Sequence, residues 1–308
     1  TCFHGHAKAK ALAAWGAVGG AGAAIGVIAG GLLTEFADWR MIFFVNLPVA
    51  VVLAVTALKV IPSDAEKPRW RGLDLRGAIL ATTSLGAIVY AITQGASAGW
   101  TSTQTLSFAL IGVTGLAAFG FVETRTEKPP LKIGRLADRA VGGGLFLMLA
   151  AAGSIFGLFF LCSVYLQTVL GTSPLRTGLA FIPLALAAGI GAHAAGHIVA
   201  RHGVRVPLAS AFAIASAGMA LLAHVGENGT YLRNVLPGML VAGLGLGIAV
   251  VSVSIAILTG AREDESGMIS GLNSTGHEIG GTIGIAGFST VPAGAPRAPG
   301  APGPPGTP

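Results

Sequence analysis

Two neighbouring ionisable residues, His277 and Glu278, interrupt a long apolar run near the end of the chain. The run, 266–289, is long enough to cross a membrane, and at 1.5 Å per residue from Gly267 it places Glu278 about 16 Å along the helix, near its middle. A carboxyl group that loses its hydration in hydrocarbon favours its neutral form, so it can take up and release a proton. We predict that Glu278 carries protons. The alternatives are a neutral carboxyl held by a neighbour's hydrogen bond, or a helix that starts later and leaves Glu278 near the surface.

Uncharged polar side chains also occur in or at the ends of the apolar runs. The candidates for lining a substrate cavity, beside His277, are Asn46, Tyr90, Gln94, Gln167, Asn273 and Ser274. Hydrogen bonds between helices explain such residues equally well. We therefore expect one or two of them to line a cavity and the others to join helices.

Three histidines raise the question of a metal site. His193 and His197 are four residues apart and share one helix face, and His202 follows. No acidic or cysteine ligand is close in the sequence, although metal sites often include one. We expect these histidines to pack against helices or the membrane interface, and we predict no bound metal.

The run "GAVGGAGAAIGVIAGG", Gly16–Gly31, contains seven glycines and no charge. A dinucleotide-binding loop would need a preceding strand and an acidic residue about 20 positions later. The preceding "AKAKALAAW" is helix-like, and Ile42–Phe44 occupy the place of the acid. The spacing of Gly22, Gly26 and Gly30 instead puts small residues on one helix face, where a neighbouring helix can approach closely. We predict helix packing here.

The composition indicates a chain that lies largely in lipid. It has 308 residues, of which 53% are apolar and only 10% charged, whereas a soluble domain carries roughly 25% charged residues. A helix needs about 20 apolar residues to cross the bilayer. Runs of about this length predict nine spans, at 11–33, 41–58, 77–99, 102–122, 141–166, 177–198, 206–225, 235–259 and 266–289.

The basic residues predict an orientation. The net charge of +6 is compatible with nucleic-acid binding, but 15 of the 19 lysines and arginines fall on one set of alternating connections and three on the other. Cytoplasmic loops are enriched in these residues. The basic set is therefore expected on the cytoplasmic side, with the first span running outward.

The glycine run resembles the antiporter motif of the major facilitator superfamily, in its fourteen-helix drug:proton antiporter branch. That motif, G-x-x-x-G-P-x-x-G-G, lies in the family's fifth helix. Gly22, Gly26, Gly30 and Gly31 match it, and Val27 replaces the proline. The missing proline removes the reason to expect a kink at that point.

Other segments resemble the same family in the same order. "DWRMIFFVNLP" resembles the entry to the sixth helix, and "LDLRGAIL" and "GW" (Gly99–Trp100) the start and end of the first of two extra central helices. "VYLQTVLGTSPLRTGLAFIPLAL" is similar to the outer hairpin before the tenth helix. "GHIVARHGVRVPL" resembles the second copy of the cytoplasmic-loop motif, and "SGLNSTGHEIGGTIGIA" the thirteenth helix.

The resemblance covers about residues 8–287 and implies an all-α polytopic membrane protein. We expect an internal fragment, about helices five to thirteen, and thus an incomplete major-facilitator-type bundle of about nine transmembrane helices. The expected parts are the end of an amino-terminal bundle (1–61), two central linker helices (62–139), a carboxy-terminal bundle (140–289) and a disordered Pro/Gly/Ala tail (290–308).

The resemblance also implies a function. We expect a secondary active transporter that exports small drug-like or amphiphilic compounds by alternating access, with the proton gradient as its energy source and no cofactor. The expected partners are the small-molecule substrate and the lipid bilayer, with no nucleic acid. We expect a monomer that crosses the plasma (inner) membrane several times.

Two groups of residues receive roles from this resemblance. The antiporter-motif glycines are expected to pack one face of the interdomain seam and to limit proton leak. Gly196, Arg201, Gly203 and Arg205 form the expected cytoplasmic gate loop, a glycine-started turn whose cations bond the carbonyl ends of neighbouring helices. Positive-inside charge alone is the alternative for the two arginines.

Two other interpretations remain open. One is a truncated, non-functional fragment of such a transporter. The other is a membrane-embedded enzyme, which would need clustered acids, a Ser/His pair or a metal-ligand set within the spans. Because Glu278 is nearly alone there, we predict that the protein is not an enzyme.

Overall fold

The computed structural model describes residues 22, 25–60, 75–125, 133–259 and 265–289. Within these ranges every regular element is a helix. The α-helices are α1 (Ile25–Phe36), α2 (Met41–Val60), α3 (Leu75–Ala98), α4 (Thr103–Arg125), α5 (Arg139–Val164), α6 (Pro174–Ala180), α7 (Ile182–His202), α8 (Arg205–Ala223), α9 (Leu236–Thr259) and α10 (Ser266–Ser289). A 3₁₀ turn at Ile133–Ala137 precedes α5, and π-helical turns at Tyr165–Val169 and Tyr231–Val235 follow α5 and precede α9.

The helices confirm the predicted all-α membrane architecture. Seven segments of the described chain are long and apolar enough to cross a membrane: Met41–Val60, Gly77–Gly95, Thr103–Arg125, Arg139–Val169, Pro174–His202, Arg205–Ala223 and Tyr231–Thr259. Two predicted spans are not among them. The described part of α1 is too short. Helix α10 has 24 residues, but Asn273, His277 and Glu278 lower its hydropathy.

Helix α2 is apolar on every side. None of its residues is buried among the described helices, and Leu58 is 85% exposed. Because it has no polar face, α2 has no side that prefers water. This is the composition expected of a helix surrounded by lipid and by other helices.

Small residues allow the later helices to pack closely around α9. A Cβ at Gly245 would lie 2.7 Å from the carbonyl oxygen of Ala211 on α8, and one at Gly243 would lie 2.9 Å from that of Leu184 on α7. Helices α10 and α5 pack on each other in the same way, since a Cβ at Gly280 of α10 would lie 2.6 Å from the Leu149 oxygen on α5. Without a hydrophobic driving force between helices in lipid, such close backbone contact supplies the packing energy.

Helices α3 and α4 form a hairpin that also packs on α10. Gly112 lies against the backbone of Ser84, where a Cβ would be 2.9 Å from the Ser84 oxygen. At the other end of the hairpin, the Tyr90 hydroxyl accepts hydrogen bonds from the amides of Gln94 and Gln104. Tyr90 therefore joins α3 to α4 through Gln104, whereas Gln94 bonds to Tyr90 within α3.

The sixth predicted span, 177–198, is interrupted rather than continuous. Helix α6 ends at Ala180, and α7 begins at Ile182 with Phe181 as the cap between them. Pro183 has no backbone N–H and cannot bond to Leu179, so the helical ladder breaks here. The break places the ring of Phe181 in the interior, where it is 4% exposed.

Several predictions lie outside the described residues. They concern the basic residues Lys8 and Lys10, most of the connection between α2 and α3, part of that between α4 and α5, and the tail 290–308. The proposed division into two bundles with central linker helices remains a prediction.

Candidate functional site

A cavity of about 430 Å³ lies where α1 meets α5, α6 and α10. Its lining consists of Gly26, Val27, Gly30, Gly31, Thr34, Ile42, Phe156, Phe159, Phe160, Ser163, Gln167, Pro174, Thr177, Gly178, Phe181 and Ile285. None of these residues carries a charge. The cavity has one wall from the predicted amino-terminal bundle (1–61) and the other from the predicted carboxy-terminal bundle (140–289).

Aromatic rings from α5 form much of the second wall. Phe156, Phe159 and Phe160 recur at the spacing of one helix face, and the same face continues to Ser163. Phe159 stacks on Phe181, with ring centroids 4.7 Å apart and an interplanar angle of 28°. The face can therefore hold a flat apolar group by stacking.

Gln167 supplies an amide at the end of this wall. It lies in the π-helical turn after α5, and its Nε2 donates a hydrogen bond to the Ser163 hydroxyl at 2.9 Å. Thr34 of α1 and Thr177 of α6 also belong to the lining, with their hydroxyls bonded to the Gly30 carbonyl oxygen and to the Thr172 hydroxyl. A few polar groups in an apolar cavity orient a ligand without demanding that it be charged.

The glycines of the antiporter motif have different surroundings. At Gly31, a Cβ would lie 2.8 Å from the Pro174 carbonyl oxygen and 3.0 Å from the Leu175 Cα, so α1 and α6 are in backbone contact there. At Gly22, Gly26 and Gly30 a Cβ would meet no described atom within 4 Å. Gly26 and Gly30 line the cavity instead, and the packing role of these three glycines stays a prediction.

The same two helices meet again on either side of Gly31. A Cβ at Gly178 would lie 2.8 Å from the carbonyl oxygen of Val27. One turn beyond Gly31, a carboxylate oxygen of Glu35 accepts hydrogen bonds from the Ser173 hydroxyl (2.6 Å) and the Leu175 N–H (2.8 Å). We call these contacts the α1–α6 seam; they close the cavity on that side.

Glu35 was not a candidate from the sequence. The Ser173 hydroxyl lowers its pKa most, the Leu175 N–H lowers it further, and the charge of Arg176 acts in the same direction against a small opposing effect of burial. The only signals in the sequence are an acid at the end of a glycine-rich helix and the capping pair Ser173–Pro174. Neither signal reveals a partner 138 positions away.

Glu278 lies in the middle of α10 with 77% of its side chain exposed. Its carboxylate is 3.3 Å from Nδ1 of His277, whose ring packs edge-on against Phe156 at 5.6 Å. Glu278 and Ile285 are seven residues apart and lie on one face of the helix, about 10 Å along the axis from each other. Because Ile285 lines the cavity, that face of α10 leads from the cavity to Glu278.

The structure separates the other three amide candidates, Gln94 having been placed in the α3–α4 hairpin. Gln167 lines the cavity, as described above. Asn273 instead donates from Nδ2 to the Ser254 hydroxyl on α9 at 3.2 Å and joins two helices. Asn46 donates to the carbonyl oxygen of Ile42 on its own exposed helix at 2.9 Å, one turn from the lining.

The predicted gate loop is a tight turn between α7 and α8. Its left-handed glycine is Gly203, with φ of 71°, and the Gly203 N–H bonds to the Val199 oxygen at 2.9 Å. The prediction of a glycine-started turn at Gly196 is wrong, since Gly196 lies within α7. Arg201 lies in the last turn of α7, and Arg205 is the first residue of α8.

The histidines of α7 form a pair rather than a triad. The rings of His193 and His197 are 5.3 Å apart, and Nδ1 of His197 is 3.3 Å from the His193 carbonyl oxygen. Among the described residues, no three His, Cys, Asp or Glu side chains lie together as metal ligands.

Two buried acids were also missed. Glu123 at the end of α4 is 2% exposed, and Glu265 before α10 is 4% exposed. Arg135, in the 3₁₀ turn, lies 2.9 Å from the Glu265 carboxylate and also pairs with Asp138. Both acids lie at the ends of apolar runs, where a sequence pattern does not distinguish a loop residue from a buried one.

Known proteins place this architecture in a family. A family model for the Major Facilitator Superfamily matches residues 2–285. The chain belongs to this superfamily. This superfamily comprises transporters and not enzymes, and its members cross the membrane several times. The resemblance found in the sequence is thereby confirmed.

Several curated relatives are drug-resistance or export proteins. The chain is 36% identical over 294 residues to the puromycin resistance protein pur8 of Streptomyces alboniger, covering 94% of this chain and 58% of the relative. It is 33% identical over 287 residues to the multidrug resistance protein Stp of Mycobacterium tuberculosis (93% and 53%). It is 31% identical over 281 residues to the tetracenomycin C resistance and export protein of Streptomyces glaucescens (90% and 51%). The chain thus spans about half the length of these relatives.

Proposed function

We propose that the protein is a secondary active transporter that exports small amphiphilic, drug-like compounds in exchange for protons. The observation that carries this proposal is the uncharged, aromatic-walled cavity between α1 and the α5–α6–α10 group. Transporters of this type bind substrate between two bundles that rock against each other. Relatives named for antibiotic resistance and export support the same substrate class.

The cavity favours compounds with a flat apolar part and a few hydrogen-bonding groups. The phenylalanine face of α5 would stack on the apolar part, with Phe181 supporting Phe159 from behind. Gln167 and the hydroxyls of Thr34 and Thr177 would bond the polar groups. Because the lining carries no charge, a cationic group on a substrate would need an acid from outside the lining to neutralise it. Glu278 is such an acid, since its face of α10 leads to the cavity.

Glu278 is the proposed proton carrier. A carboxyl group in the middle of a membrane helix is costly when ionised and is therefore a functional candidate. Its position about 10 Å along α10 from the cavity allows proton uptake and substrate binding to bias the same movement of this helix. His277 contacts both Glu278 and Phe156 of the cavity wall. A change in the protonation of Glu278 would therefore shift His277 against the wall of the cavity.

The turn between α7 and α8 is the proposed cytoplasmic gate. Gly203 allows the tight turn, and Arg201 and Arg205 flank it. In the outward-facing state these cations would bond the carbonyl ends of neighbouring helices and release them on switching. The protein would act as a monomer in the plasma (inner) membrane, with no cofactor beyond the proton gradient.

Transport by the full chain in inverted membrane vesicles tests the proposal. An acidic vesicle lumen should drive uptake of an aromatic fluorescent dye, and a protonophore should stop it. Glu227→Gln, the same chemical change at an exposed glutamate outside the cavity, should leave uptake unchanged. If the vesicles show no proton-driven uptake, the interpretation as a non-functional fragment is favoured. If they instead convert lipid-like substrates, the membrane-enzyme interpretation is favoured.

A further inference from the structure

One ionised side chain joins the two walls of the cavity. Glu35 belongs to α1, and its bonding partners Ser173 and Leu175 belong to the start of α6, 138 and 140 positions along the chain. Both partners donate to the same carboxylate oxygen. Glu35 is preceded by Thr34, and Ser173 is followed by Pro174; both Thr34 and Pro174 line the cavity. The contact is therefore at the rim of the cavity.

The rest of the α1–α6 seam is held by close contact alone. Gly31 meets Pro174 and Leu175, and Gly178 meets Val27, through backbone atoms. Such contacts are lost together when the helices separate, and they carry no directional bond. The hydrogen bonds of Glu35 are the directional polar link between α1 and α6 in the described part of the chain.

From this geometry we infer that Glu35 is a positioning residue for transport, whose carboxylate holds the outer end of the cavity closed. This inference rests on the proposed alternating access, in which α1 and α6 must separate to let substrate leave. Its carboxylate occupies the position of a helix cap, bonding the Ser173 hydroxyl and the Leu175 N–H. When the seam opens, both donors and the carboxylate exchange these bonds for water.

The exposure of Glu35 fits a reversible contact. The residue is exposed, so water competes for its bonds and the link is weak compared with a buried ion pair. A strong link would prevent opening, whereas a weak one shifts the balance between closed and open forms by a small factor. We expect this factor to be about threefold, since a bond to a charged group contributes more than a neutral one but is screened here.

Thiol labelling measures the seam without requiring transport. Ser163→Cys places a reporter in the cavity and Ser274→Cys places one on the cytoplasmic half of α10, each in the full chain with Cys2 and Cys162 replaced by alanine. Glu35→Ala should raise labelling of the first reporter from outside about threefold and lower labelling of the second from inside. Glu35→Asp should retain part of the wild-type closure, and Glu227→Ala should change neither reporter.

Opposite changes in the labelling of the two reporters distinguish the loss of a gate from a general loss of packing. If Glu35→Ala leaves both reporters unchanged, or raises the labelling of both, the inference is overturned. If labelling shifts as expected but wild-type vesicles show no proton-driven uptake, the seam stands and the proposed function fails.

A cross-link tests the same contact if Glu35→Ala does not fold. In the cysteine-free background, Glu35→Cys combined with Ser173→Cys should be bridged by a short bifunctional thiol reagent that replaces the lost side-chain length. The bridged protein should lose at least about nine-tenths of its export. If the reagent is attached to the two cysteines through disulfide bonds, a reducing agent should remove it and restore export. Undiminished export by the bridged protein would overturn the inference.

Discussion

Gly31 and Pro174 bring two helices into backbone contact across the cavity rim: a Cβ on Gly31 would lie only 2.8 Å from the Pro174 carbonyl oxygen. The nearest atoms are backbone, which cannot move aside as a flexible side chain would. Any larger residue at position 31 must therefore separate α1 from α6.

We predict that Gly31→Ala lowers the free energy of unfolding by about 1–3 kcal/mol, the usual cost of overpacking. Unfolding of the purified protein in mixed micelles measures this change. Gly26→Ala is the matched control, because a Cβ there meets no described atom within 4 Å. Equal effects of the two substitutions would show that α1 and α6 are not in contact at Gly31.

Glu278→Gln should abolish proton-driven export while leaving substrate binding intact. The substitution keeps the size and polarity of the side chain but removes its ability to exchange a proton. Uptake into acidic vesicles and equilibrium dye binding give the two measurements, with Glu227→Gln as the control for changing a glutamate elsewhere. Export that persists unchanged in Glu278→Gln would remove this residue from the mechanism.

The α1–α6 seam should be insensitive to pH near neutrality. The bonds from Ser173 and Leu175 lower the pKa of Glu35, so its carboxylate stays ionised until the pH falls below the ordinary range of a glutamate. A group with a lowered pKa gives its contribution above its usual pKa and loses it as the pH falls through the lowered value. The other charged groups nearby are Arg176 on α6 and the neighbouring Asp38–Arg40 pair.

Outside labelling of Ser163→Cys, divided by the rate for a free cysteine derivative at the same pH to cancel the ionisation of the thiol itself, should therefore be constant between about pH 6 and 8 and should rise only in stronger acid. Glu35→Gln should abolish that rise, since its amide does not titrate in this range. A rise centred near neutral pH in the wild type would mean that another group controls the seam.

The sequence predicted the helices well because their signal is long-range apolar composition. The bounds of α2, α8 and α10 lie within a few residues of the predicted spans, and Gln167 reached the cavity as one of several polar candidates. The break at Phe181 was missed, although Pro183 signals it. The span was predicted from its average apolar composition, which does not change when one backbone N–H is missing.

The partners of Glu35 could not be predicted, for a physical reason. Periodicity reports which face of a helix is apolar, but not which distant helix covers it. The link between Glu35 and Ser173 depends on how α1 meets α6, and no local pattern contains that information. Glu123 and Glu265 were missed in the same way, because an acid at the end of an apolar run looks like a surface residue.

Asn273 and Gln167 should respond differently to truncation, although the sequence placed both in one group. Asn273→Ala removes the bond to Ser254, so it should cost about 0.6 kcal/mol of stability, typical of bonds between membrane helices, and leave substrate preference unchanged. Gln167→Ala should alter substrate preference with a smaller effect on stability. Unfolding curves and competition binding distinguish the two, and a changed preference in Asn273→Ala would contradict the assignment.

Phe159 should contribute to binding of aromatic substrates through its stack with Phe181. An aromatic contact is worth about 0.5–1.5 kcal/mol beyond its buried area, so Phe159→Ala should weaken the binding of an aromatic dye about two- to tenfold. Phe146 is the matched control, because it lies on the same helix with 69% of its surface exposed and does not line the cavity. Fluorescence titration of the purified variants measures both dissociation constants. Because both substitutions remove the same ring from α5, equal weakening would mean that the dye binds elsewhere, whereas a selective effect of Phe159→Ala would locate its aromatic part against the α5 wall.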